Sequence, residues 1–187
     1  MNKALIFIIE TFAQLYLLVL LLRFWLPILR ADFHNPISQG ILRLTSPMVV
    51  PLRRLLPAVG RIDTATVLIA LAVQFAVLLL MLALMGQASY GVTDGLVPTL
   101  LTAVIKLVVL SNNLFFFAIF IKIILSWVAP HNVNPITTLL HTLSEPVLRP
   151  FRRIIPPIGG LDISPIFAIV LLQAVNIVLR DLRPLPL

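Results

Sequence analysis

The chain has no cysteine and few charged residues. Of its 187 residues, 60% are hydrophobic and 11% are charged, and its mean hydropathy is +1.08. The absence of cysteine excludes disulfide bonds, thiolate metal ligands and a thiol nucleophile. A soluble domain carries about 25% charged residues. The composition therefore excludes a water-soluble globule and indicates a protein whose apolar surface lies in lipid.

Recognisable catalytic motifs are also missing. The sequence has no HExxH, no phosphate-binding Walker loop, no GxSxG and no cluster of carboxylates. His34, His131 and His141 all lie outside the long apolar runs, whereas a membrane haem needs imidazoles that face each other inside the helix bundle. We therefore predict that the protein is not an enzyme and holds no cofactor or metal.

Acidic residues are half as numerous as basic ones. Seven Asp and Glu stand against 14 Lys and Arg, which gives a net charge of +7. A basic excess is typical of nucleic-acid-binding proteins, but here the basic residues lie in loops beside apolar runs. That placement favours membrane orientation and contact with anionic headgroups. We expect anionic membrane lipids as partners, and no nucleic acid.

What the chain does contain is an internal repeat. Residues 35–63 read NPISQGILRLTSPMVVPLRRLLPAVGRID, and residues 134–162, 99 positions further on, read NPITTLLHTLSEPVLRPFRRIIPPIGGLD. Four prolines and three charged residues recur in register without a gap, so shared hydrophobicity does not explain the match. The repeated structural positions are Asn35, Pro36, Pro51, Pro57, Gly60 and Asp63 in the first copy and Asn134, Pro135, Pro150, Pro156, Gly159 and Asp162 in the second. Repetition at a fixed spacing indicates a duplicated unit.

Long apolar runs flank each copy of this insert. A helix of about 20 apolar residues crosses a bilayer core, and four runs qualify, at about 4–29, 64–86, 98–129 and 163–180. The third run is long enough to split into two short helices near 111–113, but the repeat maps 101–128 onto 2–29 and favours one long tilted helix. We predict a first unit at 1–86 with its insert at 35–62, a linker at 87–97, and a second unit at 98–187 with its insert at 134–161.

The inserts contain too much proline and arginine to cross a membrane. Each opens with Asn-Pro, which supplies an N-cap and a first helical residue that needs no amide donor. Apolar residues then follow at helical spacing, which predicts a short amphipathic helix in the interface plane. We expect Pro47 and Pro146 to end these helices, and a second short element with the paired arginines to follow. A glycine turn and an aspartate then begin the next span.

The predicted fold is an all-α membrane protein of two tandem parallel repeats. Each repeat comprises a transmembrane helix, an interfacial amphipathic hairpin rich in proline and arginine, and a second transmembrane helix. Two spans per unit give both copies the same orientation, as in parallel repeats. Because most arginines lie on the insert side, the positive-inside rule predicts cytoplasmic hairpins and periplasmic termini.

The paired arginines are the first candidate site, for binding lipid headgroups or a partner. Guanidinium groups bind phosphate bidentately, but long basic side chains also reach headgroups simply to fix topology. Both interpretations of these arginines stay open. The four residues are Arg53, Arg54, Arg152 and Arg153.

Asp63 and Asp162 have two interpretations as well. They are either an ion-binding or proton-carrying pair, or the N-caps of the spans that follow them. The second interpretation is favoured. An ion pair of the Arg53–Asp63 type within each unit is a further alternative.

Polar residues inside membrane spans are costly and are functional candidates by default. Glu10 and Lys106 lie at nearly the same depth in the repeat register, and we hypothesise that they form an interhelical ion pair. Gln74 and its repeat equivalent Gln173 either line a polar path or form hydrogen bonds across helix interfaces, and the interface is favoured. Arg23 and its repeat equivalent Lys122 lie near the insert side, where they can reach the headgroups.

The twice-occurring insert resembles the YggT family of bacterial integral membrane proteins. The likeness extends from the first span to about residue 180, and the motif residues of both copies fit the family pattern. This resemblance implies residence in the bacterial inner (plasma) membrane. It also implies roles in osmotic tolerance, in cell division or in membrane-complex assembly such as haem attachment to a cytochrome, and it supplies no catalytic residues. The copies differ at Ser46/Glu145 and Arg61/Gly160.

Two functions follow from this sequence. The first is a non-enzymatic scaffold or adaptor whose basic cytoplasmic hairpins contact lipids and other membrane proteins. The alternative is a small ion channel or transporter in the osmotic response, supported by the polar residues inside the spans. Four spans make a thin bundle, so a pore would require a homo-oligomer.

Overall fold

Six helices make up the described part of the chain. The computed structural model describes residues 2–84, 96–128, 134–155 and 162–185. The helices are α1 (Asn2–Ile28), α2 (Pro36–Arg53), α3 (Thr64–Leu84), α4 (Leu96–Val128), α5 (Pro135–Ile154) and α6 (Ser164–Asp181). Of the sequence predictions, Pro156, Gly159, most of the linker at 87–97 and the end of the second insert lie outside the described residues.

Four of these helices are long and apolar enough to cross a membrane. They are α1, α3, α4 and α6, with mean hydropathies between 1.5 and 2.9. The long third run forms the single helix α4, whose 33 residues extend about 50 Å at 1.5 Å per residue. The alternative of two short helices is therefore wrong. A helix of this length exceeds the roughly 30 Å hydrocarbon layer, so it must tilt or project beyond that layer.

The Asn-Pro steps begin the two insert helices, as the sequence predicts. The Asn35 side chain accepts the amide of Ile37 at 2.9 Å. Asn134 forms a reciprocal capping box with Thr137, whose amide it accepts at 2.9 Å. Each cap satisfies an amide that the first helical turn would otherwise leave unpaired. The proline that follows each asparagine fits because its position requires no donor.

The prediction that Pro47 and Pro146 end these helices is wrong. Helix α2 continues through Pro47 and Pro51, and α5 continues to Ile154. Pro47 has no amide, so the carbonyl of Arg43 four residues before it loses its helical donor. Arg43 and Pro47 both lie on the exposed side of α2, where water or headgroups can pair with the freed carbonyl. Continuation also buries side chains beyond the first proline, such as Val49 in α2, and this burial stabilises the longer helix.

The two units pack in the same way internally and meet along three helix contacts. In each unit the insert helix packs against both spans, so α2 contacts α1 and α3 while α5 contacts α4 and α6. Between the units, α3 packs against α4, α2 packs against α5, and α1 makes a smaller contact with α4. The Asn35 amide donates to the Pro135 carbonyl at 2.7 Å, which joins the starts of the two insert helices. Both inserts therefore lie at the same end of the bundle.

The arrangement of the spans is not a closed ring. The repeat equivalent of the α3–α4 contact would join α6 to α1, but those helices make at most marginal contact within the described residues. One face of α6 consequently points outward, where lipid would cover it.

Candidate functional site

A buried arginine lies beneath the insert of the first unit. Arg23, near the end of α1, is 4% exposed. One guanidinium nitrogen, Nη1, donates to the Thr45 hydroxyl at 2.8 Å and to the Leu42 carbonyl at 3.2 Å. Its Nε lies 3.7 Å from Oδ2 of Asp63, which is 5% exposed. The arginine that the sequence assigned to headgroup contact therefore joins α1 to the insert and to the start of α3.

Asp63 is consequently not a side-chain cap of α3. Its backbone carbonyl accepts the Val67 amide at 3.2 Å, as at an N-cap position. Its carboxylate, however, is turned towards Arg23, and Oδ1 has no hydrogen-bond partner. The Arg53–Asp63 pair is also absent, because Arg23 takes the place of Arg53. The ion pair outweighs capping here because a buried guanidinium without a counter-charge is very costly.

A tight turn precedes Asp63 and carries another arginine. The backbone groups of Val59 and Ile62 exchange two hydrogen bonds of 3.0 Å. Gly60 has φ +63°, a left-handed conformation that glycine adopts at low cost. Arg61 lies next to it in the turn and is exposed. The repeated glycine thus has a conformational role, as the sequence predicts.

The second unit has a different charge arrangement at the equivalent positions. Arg152 donates from Nη1 to Glu145 at 2.9 Å and from Nε to Asp162 at 2.8 Å. Lys122, the equivalent of Arg23, lies 3.7 Å from the same Glu145. The Asp162 carboxylate also accepts the Ser164 amide at 3.0 Å, close to its predicted capping role. The Arg53–Asp63 type of ion pair therefore forms only in this unit, as Arg152–Asp162.

These contacts shift the ionisation of the pair. Partial burial acts to raise the pKa of Asp162, but hydrogen bonds from Arg152 and Ser164 and the arginine's charge outweigh it, so the pKa is lowered from 3.8. Burial acts to lower the pKa of Arg152, but its hydrogen bond to Asp162 and the charge of Glu145 raise it overall. Both groups are therefore fully charged at neutral pH.

The four predicted headgroup arginines differ in their surroundings. Arg53, Arg54 and Arg153 are exposed, and none of them has a carboxylate within ion-pair distance in the described residues. Arg152 is held by two carboxylates. Three of the four are thus available for the predicted contact, which stays a prediction.

A second polar region lies at the other end of the bundle. Lys106 Nζ is 3.6 Å from Glu10 Oε1, so the hypothesised interhelical pair is present. Gln14 donates to the same carboxylate at 3.2 Å. These side chains and Gln74 line a cavity of about 250 Å³ between α1, α3 and α4, with Arg180 and Arg183 at the end of α6 also lining it.

Gln74 and Gln173 are not equivalent in the folded chain. Gln74 is buried, whereas Gln173 is exposed on α6. Neither interpretation of Gln173, in a polar path or at a helix interface, is met within the single chain. The cause is the open arrangement of the spans, since α4 covers α3 but no described helix covers the equivalent face of α6.

Sequence reasoning expected Asn113 to form a hydrogen bond across a helix interface, but it did not identify the partners in the polar contacts that join the spans. The Asn176 amide donates to Asn113 at 2.7 Å, and the Asn112 amide donates to the Leu172 carbonyl at 2.7 Å. Between the units, the Trp25 indole donates to the Ser111 hydroxyl at 2.7 Å. Asparagines inside apolar runs were the available signal, because they need a partner away from water.

In the described ranges, no group of three or more His, Asp or Glu residues is placed to hold a metal ion.

The fold and these sites define a class of protein. It is a multi-pass helical membrane protein made of two copies of a span–insert–span unit.

Comparison with known proteins gives the family. The model of the CCB3/YggT family matches twice, at residues 2–84 and 101–183. The chain belongs to the CCB3/YggT family.

Several relatives have similar sequences. An uncharacterised protein of Pseudomonas aeruginosa is 45% identical over 176 residues, which cover 94% of this chain and 88% of that protein. The uncharacterised protein YggT of Escherichia coli K12 is 35% identical over 93% of this chain and 88% of its own length. The uncharacterised protein ycf19 of Porphyra purpurea is 30% identical over 73 residues, which cover 38% of this chain and 77% of that protein. No solved structure matches the chain significantly.

Proposed function

We propose that this protein is a non-enzymatic scaffold or adaptor of the bacterial inner membrane. Its two insert helices would lie on the cytoplasmic face and bind anionic lipids and other membrane proteins. The observation that carries this proposal is the joined pair of inserts, linked by the Asn35–Pro135 hydrogen bond. The pair brings exposed arginines of both units to one end of the bundle.

The charge of the inserts supports an orientation towards the cytoplasm. Their exposed arginines include Arg43, Arg54, Arg149 and Arg153. Each basic side chain near an anionic leaflet contributes about 1 kcal/mol of attraction. The proposed links to cell division, osmotic tolerance or membrane-complex assembly follow from the family resemblance. They identify the processes in which partners should be sought.

Site-specific photo-crosslinking in native membranes tests the scaffold. A crosslinker at Val50, exposed on α2, should capture a defined protein partner, and a crosslinker at Val170, exposed on α6, is the matched control. Arg54→Gln with Arg153→Gln should reduce capture at position 50. The same captured proteins at both positions, or capture unaffected by the arginine changes, would contradict the proposal.

The polar cavity gives a specific reason to consider a channel or transporter as the second candidate. Glu10, Lys106 and Gln74 line it. Leu17 and Leu20, however, are fully buried in a core cluster, and Leu21 belongs to the cluster that lies towards the inserts. A polar route would have to cross these leucines.

Ion flux in proteoliposomes separates the two candidates. The scaffold proposal expects flux no greater than in protein-free liposomes. Gln74→Leu is the informative variant because it removes a polar group from the cavity without adding charge. Robust flux that this variant abolishes would favour the channel.

A further inference from the structure

A cavity in the first unit is surrounded by three arginines. It measures about 300 Å³ and lies between the end of α1, the insert and the turn before α3. Arg23, Arg53 and Arg61 line it together with Asp63. Three positive charges therefore face one negative charge, an excess of two. Within the described residues, Arg53 and Arg61 have no carboxylate within ion-pair distance.

Two buried polar atoms at this cavity also lack partners. The Nε of Arg23 has no hydrogen-bond acceptor, and Oδ1 of Asp63 has no donor. Both side chains are more than nine-tenths buried. A buried polar group without a partner is rare in native structures, and a bound ion is one accepted reason for it. A ligand with an anionic oxygen beside a hydroxyl group would satisfy both atoms.

The second unit indicates what belongs between these basic groups. There, the carboxylate of Glu145 lies between Lys122 and Arg152, at 3.7 and 2.9 Å. With Asp162, two carboxylates balance the two basic side chains. The residue equivalent to Glu145 in the first unit is Ser46, a neutral hydroxyl. One repeat thus supplies its own anion, and the other does not.

The turn adds to this difference. Arg61 has Gly160 as its equivalent in the second copy. The charge differences at Ser46/Glu145 and Arg61/Gly160 neutralise one site and leave the other cationic; the inserts also differ in charge at Arg43/Thr142 and Val50/Arg149.

We propose that the cavity formed by Arg23, Arg53 and Arg61 binds a phosphate ester that carries a hydroxyl group. The phosphate oxygens would occupy the place that Glu145 fills in the second unit, since guanidinium groups match phosphate in charge and geometry. The hydroxyl would donate to Oδ1 of Asp63. A glycerol-bearing phospholipid headgroup and a free glycerol phosphate both have this chemistry.

This inference deepens the proposed function, because it names a ligand for the first insert. Its test uses the purified full chain in detergent and needs no protein partner. Partner crosslinking can therefore fail while ligand binding holds, and ligand binding can fail while crosslinking holds.

Titration with short-chain dioctanoyl phosphatidylglycerol tests the site, with dioctanoyl phosphatidylcholine as the comparison, because its headgroup is zwitterionic with no net charge and has no hydroxyl. The wild type should bind the anionic lipid saturably at one site. Ser46→Glu and Arg61→Gly each introduce the residue of the second unit, and each should weaken binding about tenfold, the effect of losing one charged contact. Arg180→Gln is the control, because it removes an exposed arginine at the opposite end of the bundle that does not line the cavity, and it should change affinity less than about twofold.

A gain-of-site variant keeps the test independent of loss through misfolding. Glu145→Ser leaves Lys122 without its counter-charge and Arg152 paired with Asp162 alone. It should add a second saturable site that is weaker than the first, because position 160 is glycine and not arginine. Competition with free glycerol phosphate distinguishes the ligand source. Displacement of the lipid indicates a soluble ligand, and binding that resists displacement indicates the headgroup itself; both support the site. Equal losses in Arg180→Gln and Arg61→Gly, or unchanged binding in Ser46→Glu, would overturn it.

Discussion

Breaking the buried ion pair between Arg23 and Asp63 should destabilise the protein strongly. Arg23 is 4% exposed and Asp63 is 5% exposed, so either partner left alone would be a charge out of water. Removal of one member of a buried pair costs about 3–5 kcal/mol. Asp63→Leu leaves the guanidinium with only the neutral acceptors Thr45, Ser46 and the Leu42 carbonyl. Arg23→Leu leaves the carboxylate without its counter-charge. Each single variant should therefore lose about 3–5 kcal/mol.

The double variant should be less damaging than the sum of the single variants. With both charges replaced by leucine, no uncompensated charge remains, and apolar replacement of a buried pair is often neutral. The coupling energy should reach at least about 2 kcal/mol, near the upper part of the range for residues in direct contact. Equilibrium unfolding in mixed micelles measures it, with Trp25 in the helix interface as an intrinsic fluorescent probe.

The second unit supplies the control for this experiment. Asp162 has a side chain that is 41% exposed. An ion pair in such a position contributes about 0–1 kcal/mol, so Asp162→Leu, which also removes the bond to the Ser164 amide, should cost about 1–2 kcal/mol. Two results would refute the assignment of a buried, coupled pair. The first is a loss in the double variant that equals the sum of the two single-variant losses to within about 0.5 kcal/mol. The second is an equal loss of stability in Asp63→Leu and Asp162→Leu.

Other parts of the fold give further expectations. Arg30 has φ +56° and ends α1 in a left-handed conformation, so Arg30→Gly should stabilise the chain by about 0.5–1 kcal/mol in the same unfolding assay; a loss of stability would contradict this. Asn35→Asp keeps the cap but removes the donor to the other insert and should cost about 1 kcal/mol, whereas Asn35→Ala removes both and should cost about 2 kcal/mol; equal costs would show that the inter-insert bond contributes nothing. Trp25→Phe leaves the Ser111 hydroxyl without its donor and should cost at least about 1 kcal/mol. The pKa of Asp162 is lowered from 3.8 in the folded chain. Its ionised carboxylate therefore stabilises the fold above that pH, and this stabilisation is lost as the pH falls towards the lower folded-state pKa. Melting temperatures measured from about pH 5 to pH 2 should fall less steeply in Asp162→Asn than in the wild type.

The spans and helix starts followed from local chemistry. A run of about 20 apolar residues is long enough to cross a bilayer as a helix. This rule was sufficient to predict all four spans, including the single long helix α4. The Asn-Pro steps are caps whatever surrounds them, because they act within one helical turn. The ion pair between Glu10 and Lys106 was also predictable, since two opposite charges at one depth inside an apolar bundle gain greatly by meeting.

The errors concern features that tertiary packing decides. The continuation of α2 past Pro47 depends on the spans that bury Val49, and no local rule contains that contact. The partner of Asp63 depends on the depth of Arg23 beneath the insert. The exposure of Gln173 depends on the helix that is missing beside α6. In each case the residue was correctly singled out, but its neighbour lay far away in the sequence.

The difference in charge between the two inserts has a consequence for how such units evolve. The Porphyra relative has 77% of its length within a 73-residue match, so it has room for one unit only. If a protein of that size assembles as a symmetric pair, every substitution appears in both copies at once. Covalent linkage removes that restriction. In the present chain one half has Glu145 where the other has Ser46, so a single gene encodes two inserts that can diverge independently.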